Sequence, residues 1–155
     1  MAEDKANITG RPDSGPRTRI LIVDDSKVLR KIIRAILAHQ DDFEIVGEGC
    51  DGVECIRMAN ALQPDIITLD INMPIKDGIE TLQTLRKFTD TPVIIVSALP
   101  VEDKGMAEHL MELGATATVM KNFSGPIGLA SFEAELLETI RAVRNSIASM
   151  HDTDP

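Results

Sequence analysis

The chain has 155 residues, 43% of them hydrophobic and 26% charged, enough to bury one proper core and with no room expected for a second, catalytic domain. A net charge of −9 and a pI near 4.7 set it against the phosphates of nucleic acid and against anionic membrane surfaces, leaving proteins or cations as the expected partners. The opening "MAEDKANITGRPDSGPRTR" is polar throughout and no apolar stretch is long enough to span a bilayer, so a cytoplasmic protein without a secretory signal is expected.

Residues 1–17 mix prolines, glycines and charges without periodicity and read as a mobile tail, with the domain expected over 18–150 and a short tail at 151–155. From there apolar, β-branched runs alternate with segments of helical period: 20–23 then 27–39, 43–47 then 52–62, 66–69 then 78–88, 93–96 then 101–113, and 117–120 then 131–149. In the first helical segment Val28, Leu29, Ile32, Ile33, Ile36 and Leu37 fall on one face, Lys27, Arg30, Lys31 and Arg34 are left toward solvent, and Ser26 is placed to cap. Cys50 and Cys55 are spaced neither as a redox pair nor as zinc ligands, and His39, His109 and His151 are scattered. The cysteines read as small buried hydrophobes, and no thiolate or imidazole metal site is expected.

The runs "DIITLD" and "PVIIVS" are nearly continuous in apolar residues, the mark of strands buried on both faces of a parallel sheet. Between 121 and 131, "KNFSGPIGLAS" reads as a long loop. The last helical segment places Phe132, Leu136, Leu137, Ile140, Val143 and Ile147 on one side, with Glu133, Glu135 and Glu138 early and Arg141 and Arg144 late, as the helix dipole prefers. Right-handed crossovers then give an α/β fold: a doubly wound, five-stranded parallel sheet with helices on both faces.

In such a sheet ligands sit beyond the carboxyl ends of the strands. The first strand ends in Asp24-Asp25, the third in Asp70, the fourth in Ser97 and the fifth in Lys121, while the second, ending near Gly47-Glu48-Gly49, lies at the edge. Singly, each has an ordinary reading as a cap, a turn residue, a strand end or a solvated charge. Jointly they do not. Converging carboxylates repel unless a cation neutralises them, and an oxygen-only donor set without a dedicated twelve-residue loop suits Mg²⁺. Lys121 and Ser97 add a charge and a hydroxyl suited to phosphoryl oxygens, which makes Asp70 the expected nucleophile of a phosphoryl transfer.

In order and spacing "LIVDDSKVLRK", "DIITLDINMPIKDG", "PVIIVSAL" and "LGATATVMK" resemble the receiver domain of two-component response regulators over about residues 20–149, most closely the receiver portion of chemotaxis protein-glutamate methylesterases. The resemblance implies a flavodoxin-like sheet in the order 2-1-3-4-5, and that Asp70 takes a phosphoryl group from the phosphohistidine of a sensor histidine kinase or histidine phosphotransfer protein. It implies further that Asp25, Asp70 and the backbone carbonyl of Asn72 ligate Mg²⁺ with Asp24 assisting through water, and that Ser97 and Lys121 grip the phosphoryl oxygens. The fourth and fifth βα units would then switch binding of an output protein that the sequence does not identify, in chemotaxis or related signalling.

The basic face from Lys27 to Arg34 is a candidate docking surface for an acidic histidine-bearing bundle, or simply a solvated face. Two positions depart from the family pattern. Thr118 stands where an aromatic ring is usual, and Asn122 follows Lys121 where a proline, often reached by a cis bond, is usual. A cis Lys-Asn bond costs about 3–4 kcal/mol, so a trans bond or strained backbone is expected.

The main alternative is the regulatory part of a methylesterase whose catalytic domain lies outside this chain, since "FSGPIG" does not match the nucleophile elbow Gly-x-Ser-x-Gly. On either reading no enzyme activity is expected beyond self-phosphorylation and autodephosphorylation. An aspartyl phosphatase would carry its nucleophile after the first strand and a second Asp two residues later, where Asn72 follows Asp70 here. A binding module with a vestigial acid pocket is the remaining reading.

Overall fold

Five apolar runs, each followed by a helix, pair in parallel and wind the chain to both sides of one sheet. The computed structural model describes residues 16–73, 77–98 and 104–152. In chain order the elements are β1 (Thr18–Val23), α1 (Lys27–Ala38), β2 (Phe43–Gly49), α2 (Gly52–Leu62), β3 (Ile66–Leu69), α3 (Gly78–Leu85), β4 (Val93–Ser97), α4 (Lys104–Glu112), β5 (Ala117–Met120) and α5 (Gly128–Asp152). The sheet order is β2-β1-β3-β4-β5 with every pair parallel, the flavodoxin-like arrangement expected from the sequence.

The period-two geometry of a strand divides the core into two layers. Ile20 and Ile22 of β1, Ile66 of β3 and Ile94 and Val96 of β4 meet Ile33 and Leu37 of α1 and Phe132, Leu136 and Ile140 of α5 on one face. On the other, Leu21, Val23, Ile67, Leu69, Val93 and Ile95 meet Cys55 of α2, Leu82 and Leu85 of α3 and Leu110 of α4. Helix starts are capped by side chains. Ser26 Oγ accepts the Leu29 N–H at 3.2 Å, Asp51 Oδ1 the Glu54 N–H at 2.8 Å and Asp77 Oδ1 the Glu80 N–H at 2.9 Å.

Four sequence expectations change. Val28 is 64% exposed rather than in the core, because the buried face of α1 runs through Ile33, Ile36 and Leu37 and Val28 lies about 140° round the helix from Ile33. Cys50 is exposed while Cys55 alone is buried, since β2 runs on to Gly49 and leaves Cys50 in the bend before α2. Helix α5 begins at Gly128, so the loop expected up to residue 131 is shorter, and it continues to Asp152. Helix α3 stops at Leu85, with Phe88 and Thr89 N–H groups closing turns onto the Leu85 carbonyl. Residues 101–103 of the fourth helical segment lie outside the described residues, as does most of the N-terminal tail reading. No helix among the described residues is long and apolar enough to cross a membrane.

One polar clamp ties the two ends of the domain. At the foot of β2, Asp42 accepts from Arg141 Nε at 3.1 Å and Nη2 at 3.2 Å and from Arg144 Nη1 at 2.6 Å, and Arg141 lies 5.2 Å over the Phe43 ring. The Arg141 hydrogen bond pulls the Asp42 carboxyl down to about 2, against the opposing push of burial and with further help from Arg144. A lowered carboxyl contributes stability that is present above its ordinary 3.8 and lost as pH falls through about 2. With the side chain 35% exposed, solvent screening leaves a modest effect. Asp42→Asn is therefore expected to cost about 1 kcal/mol in urea unfolding at pH 7. The gap should close as pH is taken from 4 toward 2, and an undiminished gap at the acid end would contradict the assignment.

Candidate functional site

Strand register brings the polar strand ends together. Val23 pairs with Leu69 in the β1–β3 ladder, so the next residues, Asp24 and Asp70, leave adjacent strands side by side. Their backbones extend the sheet by one bond each: Asp24 N–H donates to the Gly49 carbonyl and Asp70 N–H to the Val23 carbonyl, both at 3.0 Å. On the far side Ser97 pairs with Met120, and Lys121 N–H donates to the Ser97 carbonyl at 2.7 Å.

The side chains converge as that register requires. Asp24, Asp25 and Asp70 each offer a carboxylate oxygen, and the three oxygens lie within 4.8 Å of one another. Asp24 is 1% and Asp70 4% exposed, whereas Asp25 faces solvent. Lys121 Nζ bridges the buried pair, 2.8 Å from Asp24 Oδ2 and 3.3 Å from Asp70 Oδ1. Asp24 is held at several points: its Oδ1 accepts the Ser26 N–H at 2.9 Å and its carbonyl accepts from Arg30 Nη1 at 2.6 Å, while its buried Oδ2 meets Lys121 as an ion pair without hydrogen-bond geometry. Asp70 is held more loosely, with the Asn72 N–H 3.4 Å from its Oδ1. Burial, more than anything else, pushes the Asp70 carboxyl up to about 6; Lys121 pulls it down and the Asp24 charge pushes it up.

Of the residues singled out from the sequence, Asp24, Asp25, Asp70 and Lys121 therefore share one crevice. Ser97 is 3% exposed, and its Oγ has no hydrogen-bond partner among the described residues. Asn72 is exposed, two residues beyond Asp70. Lys121 reaches the acids although no cis peptide bond occurs among the described residues, and Thr118 lies on the exposed side of the edge strand β5.

Two participants escaped the sequence reading. Arg30, expected in solvent, has a side chain only 18% exposed; besides holding the Asp24 carbonyl it lies 3.7 Å from Glu48, which Arg34 also engages at 2.5 Å. Nothing in the helical period separates it from Lys27 or Lys31. Gly78 is the other: a Cβ there would lie 2.4 Å from the Asp70 carbonyl oxygen and 2.5 Å from Ile71 Cα, so α3 can start against the Asp70 turn only because residue 78 has no side chain. The "DG" ending "DINMPIKDG" was the available signal. A second acidic group, Cys50, Asp51 and Glu54, also comes together, but Asp51 caps α2 and Glu54 Oε1 accepts the Cys50 N–H at 2.8 Å, the ordinary chemistry of a helix start.

The family model described as the response regulator receiver domain matches residues 20–130. The protein-glutamate methylesterase/protein-glutamine glutaminase 1 of Methanosarcina mazei is 38% identical over 132 residues, 85% of this chain. The chain spans only 37% of that relative's length. Among solved structures, the response regulator domain of Thermotoga maritima CheB superposes with a TM-score of 0.77 at 37% identity, covering 83% of this chain and 97% of that one. CheY from Borrelia burgdorferi, crystallised in a CheX-CheY-BeF3-Mg²⁺ complex, gives 0.72 at 30% identity over 86% and 93%.

The raised Asp70 carboxyl carries a stability cost in metal-free protein. Between its ordinary 3.8 and about 6 the folded chain holds the proton more tightly than the unfolded one, so stability falls as pH rises across that window. In chelator at pH 7.5, Asp70→Asn is expected to be more stable than the parent by roughly 1–2 kcal/mol, with the two converging below pH 4. Chemical denaturation across that range checks it; a parent chain more stable than the variant at pH 7.5 would contradict the charge balance described.

Proposed function

Because the chain belongs to the family of response regulator receiver domains, we propose that Asp70 is its phosphoacceptor and that the Asp24, Asp25, Asp70 and Lys121 crevice is where the transfer takes place. The observation that carries this reading is the convergence of three carboxylate oxygens and one ammonium at the ends of β1, β3 and β5. Asp70 is the nucleophile of the set: Asp24 is clamped by Ser26, Arg30 and Lys121, and Asp25 is solvated, whereas Asp70 is buried and weakly held. A carboxyl near 6 is ionised at neutral pH yet more basic than an ordinary aspartate, which favours attack on phosphorus.

In the proposed step an Asp70 carboxylate oxygen forms a P–O bond as the P–N bond of a phosphohistidine breaks, and the imidazole leaves with the electron pair and takes up a proton. Oxygen-only donors of this count fit a hard divalent ion, and Asp25, Asp70 and the Asn72 carbonyl, with Asp24 through water, would hold Mg²⁺. When bound, the ion supplies the positive charge that offsets carboxylate and phosphoryl repulsion. Lys121 is placed to exchange its bridge between the acids for a phosphoryl oxygen. The unpartnered Ser97 hydroxyl is a ready donor to another.

The phosphoryl donor on this reading is a sensor histidine kinase or histidine phosphotransfer protein. Lys27 and Lys31 are exposed on α1 next to Val28 (64% exposed), and Leu129 of α5 (50%) lines a groove with Ile32 and Ala35 of α1, a basic and apolar surface suited to an acidic helix bundle. For the output, the regulatory part of a methylesterase is better supported than a free-standing module, since the Methanosarcina mazei relative described above is a methylesterase of which this chain spans 37%. Chemotaxis or related signalling is the corresponding process.

Acetyl phosphate with Mg²⁺ should add one phosphoryl mass to the chain and none to Asp70→Asn; intact mass spectrometry reads both, and addition to the variant would overturn the assignment. Lys31→Glu should slow transfer from a phosphohistidine donor about tenfold or less while leaving the acetyl phosphate reaction unchanged. Equal slowing of both reactions would mean that the α1 surface is not a docking site.

A further inference from the structure

Lys121 has to be aimed. Its side chain is only 12% exposed, and holding a long, freely rotating side chain across two carboxylates costs about 2 kcal/mol in rotamer entropy unless the backbone delivers it in place. The last sheet bond is its own N–H to the Ser97 carbonyl, after which residues 122–127 have no regular structure until α5 begins. The residue after Lys121 is Asn122, not a proline whose ring would fix the chain.

What holds the segment is local and specific. Asn122 Oδ1 accepts the Ser124 N–H at 3.1 Å and closes a side-chain turn. The Phe123 ring stands edge-on to Phe132, centroids 5.1 Å apart at 71°, and Phe132 is buried at 2% exposure. Gly128, the first residue of α5, passes so close to the Phe123 backbone that a Cβ there would lie 2.4 Å from the Phe123 carbonyl carbon and 2.7 Å from its oxygen. Two residues after the lysine, the chain is therefore tied to α5 by both ring and backbone. Phe123 itself is 37% exposed, which makes it a poor core residue and a good clasp.

We infer that Phe123, clasped against Phe132 and Gly128, is the positioning residue that sets Lys121 on the Asp24–Asp70 pair. The inference deepens the proposed function and rests on it, since Lys121 must act on the phosphoryl group for its placement to be read. The acids themselves belong to β1 and β3 and their loops and do not depend on the clasp.

The test uses the whole chain and two titrations by calorimetry: Mg²⁺ alone, and beryllofluoride, a phosphoryl mimic, in saturating Mg²⁺. Phe123→Ala should weaken beryllofluoride about tenfold, the scale on which small misplacements of a reacting group are felt. Its Mg²⁺ affinity should hold or rise, because a displaced Lys121 no longer competes with the ion for Asp24 and Asp70. Phe123→Leu should recover part of the loss, and Gly128→Ala, with both rings intact, should reproduce the Phe123→Ala pattern. In a Lys121→Met background, Phe123→Ala should have no further effect. Losses that multiply in the double variant, or a Phe123→Ala chain that binds beryllofluoride like the parent, would overturn the positioning role while leaving the proposed function standing. A parent chain that binds neither Mg²⁺ nor beryllofluoride would remove the proposed function and this inference with it.

Discussion

The structure turns on a buried ammonium shared by two buried carboxylates. Lys121 lies 2.8 Å from Asp24 and 3.3 Å from Asp70, at 1% and 5% side-chain exposure for the two acids. Without that bridge two like charges would face one another in a poorly solvated crevice, the arrangement that drives one of them to neutrality. With it the pair persists under strain, as the Asp70 carboxyl near 6 records. The proposed phosphoacceptor role asks the site to exchange one cation for another and to take up an anion beside it, and a strained pair bridged by one ammonium suits both.

Several elements contribute to holding the bridge. The β1–β3 register sets the acids side by side, and the β4–β5 register delivers Lys121 from the opposite direction. Ser26 caps α1 with its hydroxyl and steadies Asp24 with its N–H, so one residue serves both helix and site. Arg30 ties the Asp24 carbonyl through α1 toward Glu48 at the end of β2, and Gly78 lets α3 start in contact with the Asp70 turn. The two apolar layers beneath, built from alternating residues of the same strands, keep these strand ends from moving independently.

Much of this was legible because it follows from period and position. Continuous apolar strands announce a parallel sheet, parallel sheets place ligands at strand ends, and the polar residues at those ends are Asp24, Asp25, Asp70, Ser97 and Lys121. The misses share a cause: period identifies a face but not what covers it. Val28 fits the apolar pattern of α1 through Ile32 and Ile36, yet the buried face runs through Ile33, Ile36 and Leu37 and leaves Val28 64% exposed. Arg30 satisfies the polar pattern and is nonetheless drawn down onto Asp24. The start of α5 was misplaced because glycine and proline in "FSGPIG" signal a loop, whereas Gly128 is helical and is demanded by the crossing over Phe123.

On the proposed function the buried, loosely held carboxylate after β3, and not its neighbours after β1, becomes bonded to phosphorus. Reducing the acyl phosphate with borohydride after acetyl phosphate treatment, then sequencing the peptides by mass spectrometry, locates that bond directly. Homoserine is expected at position 70 and unmodified aspartate at positions 24 and 25. Homoserine at either of those two positions, or at none, would contradict it.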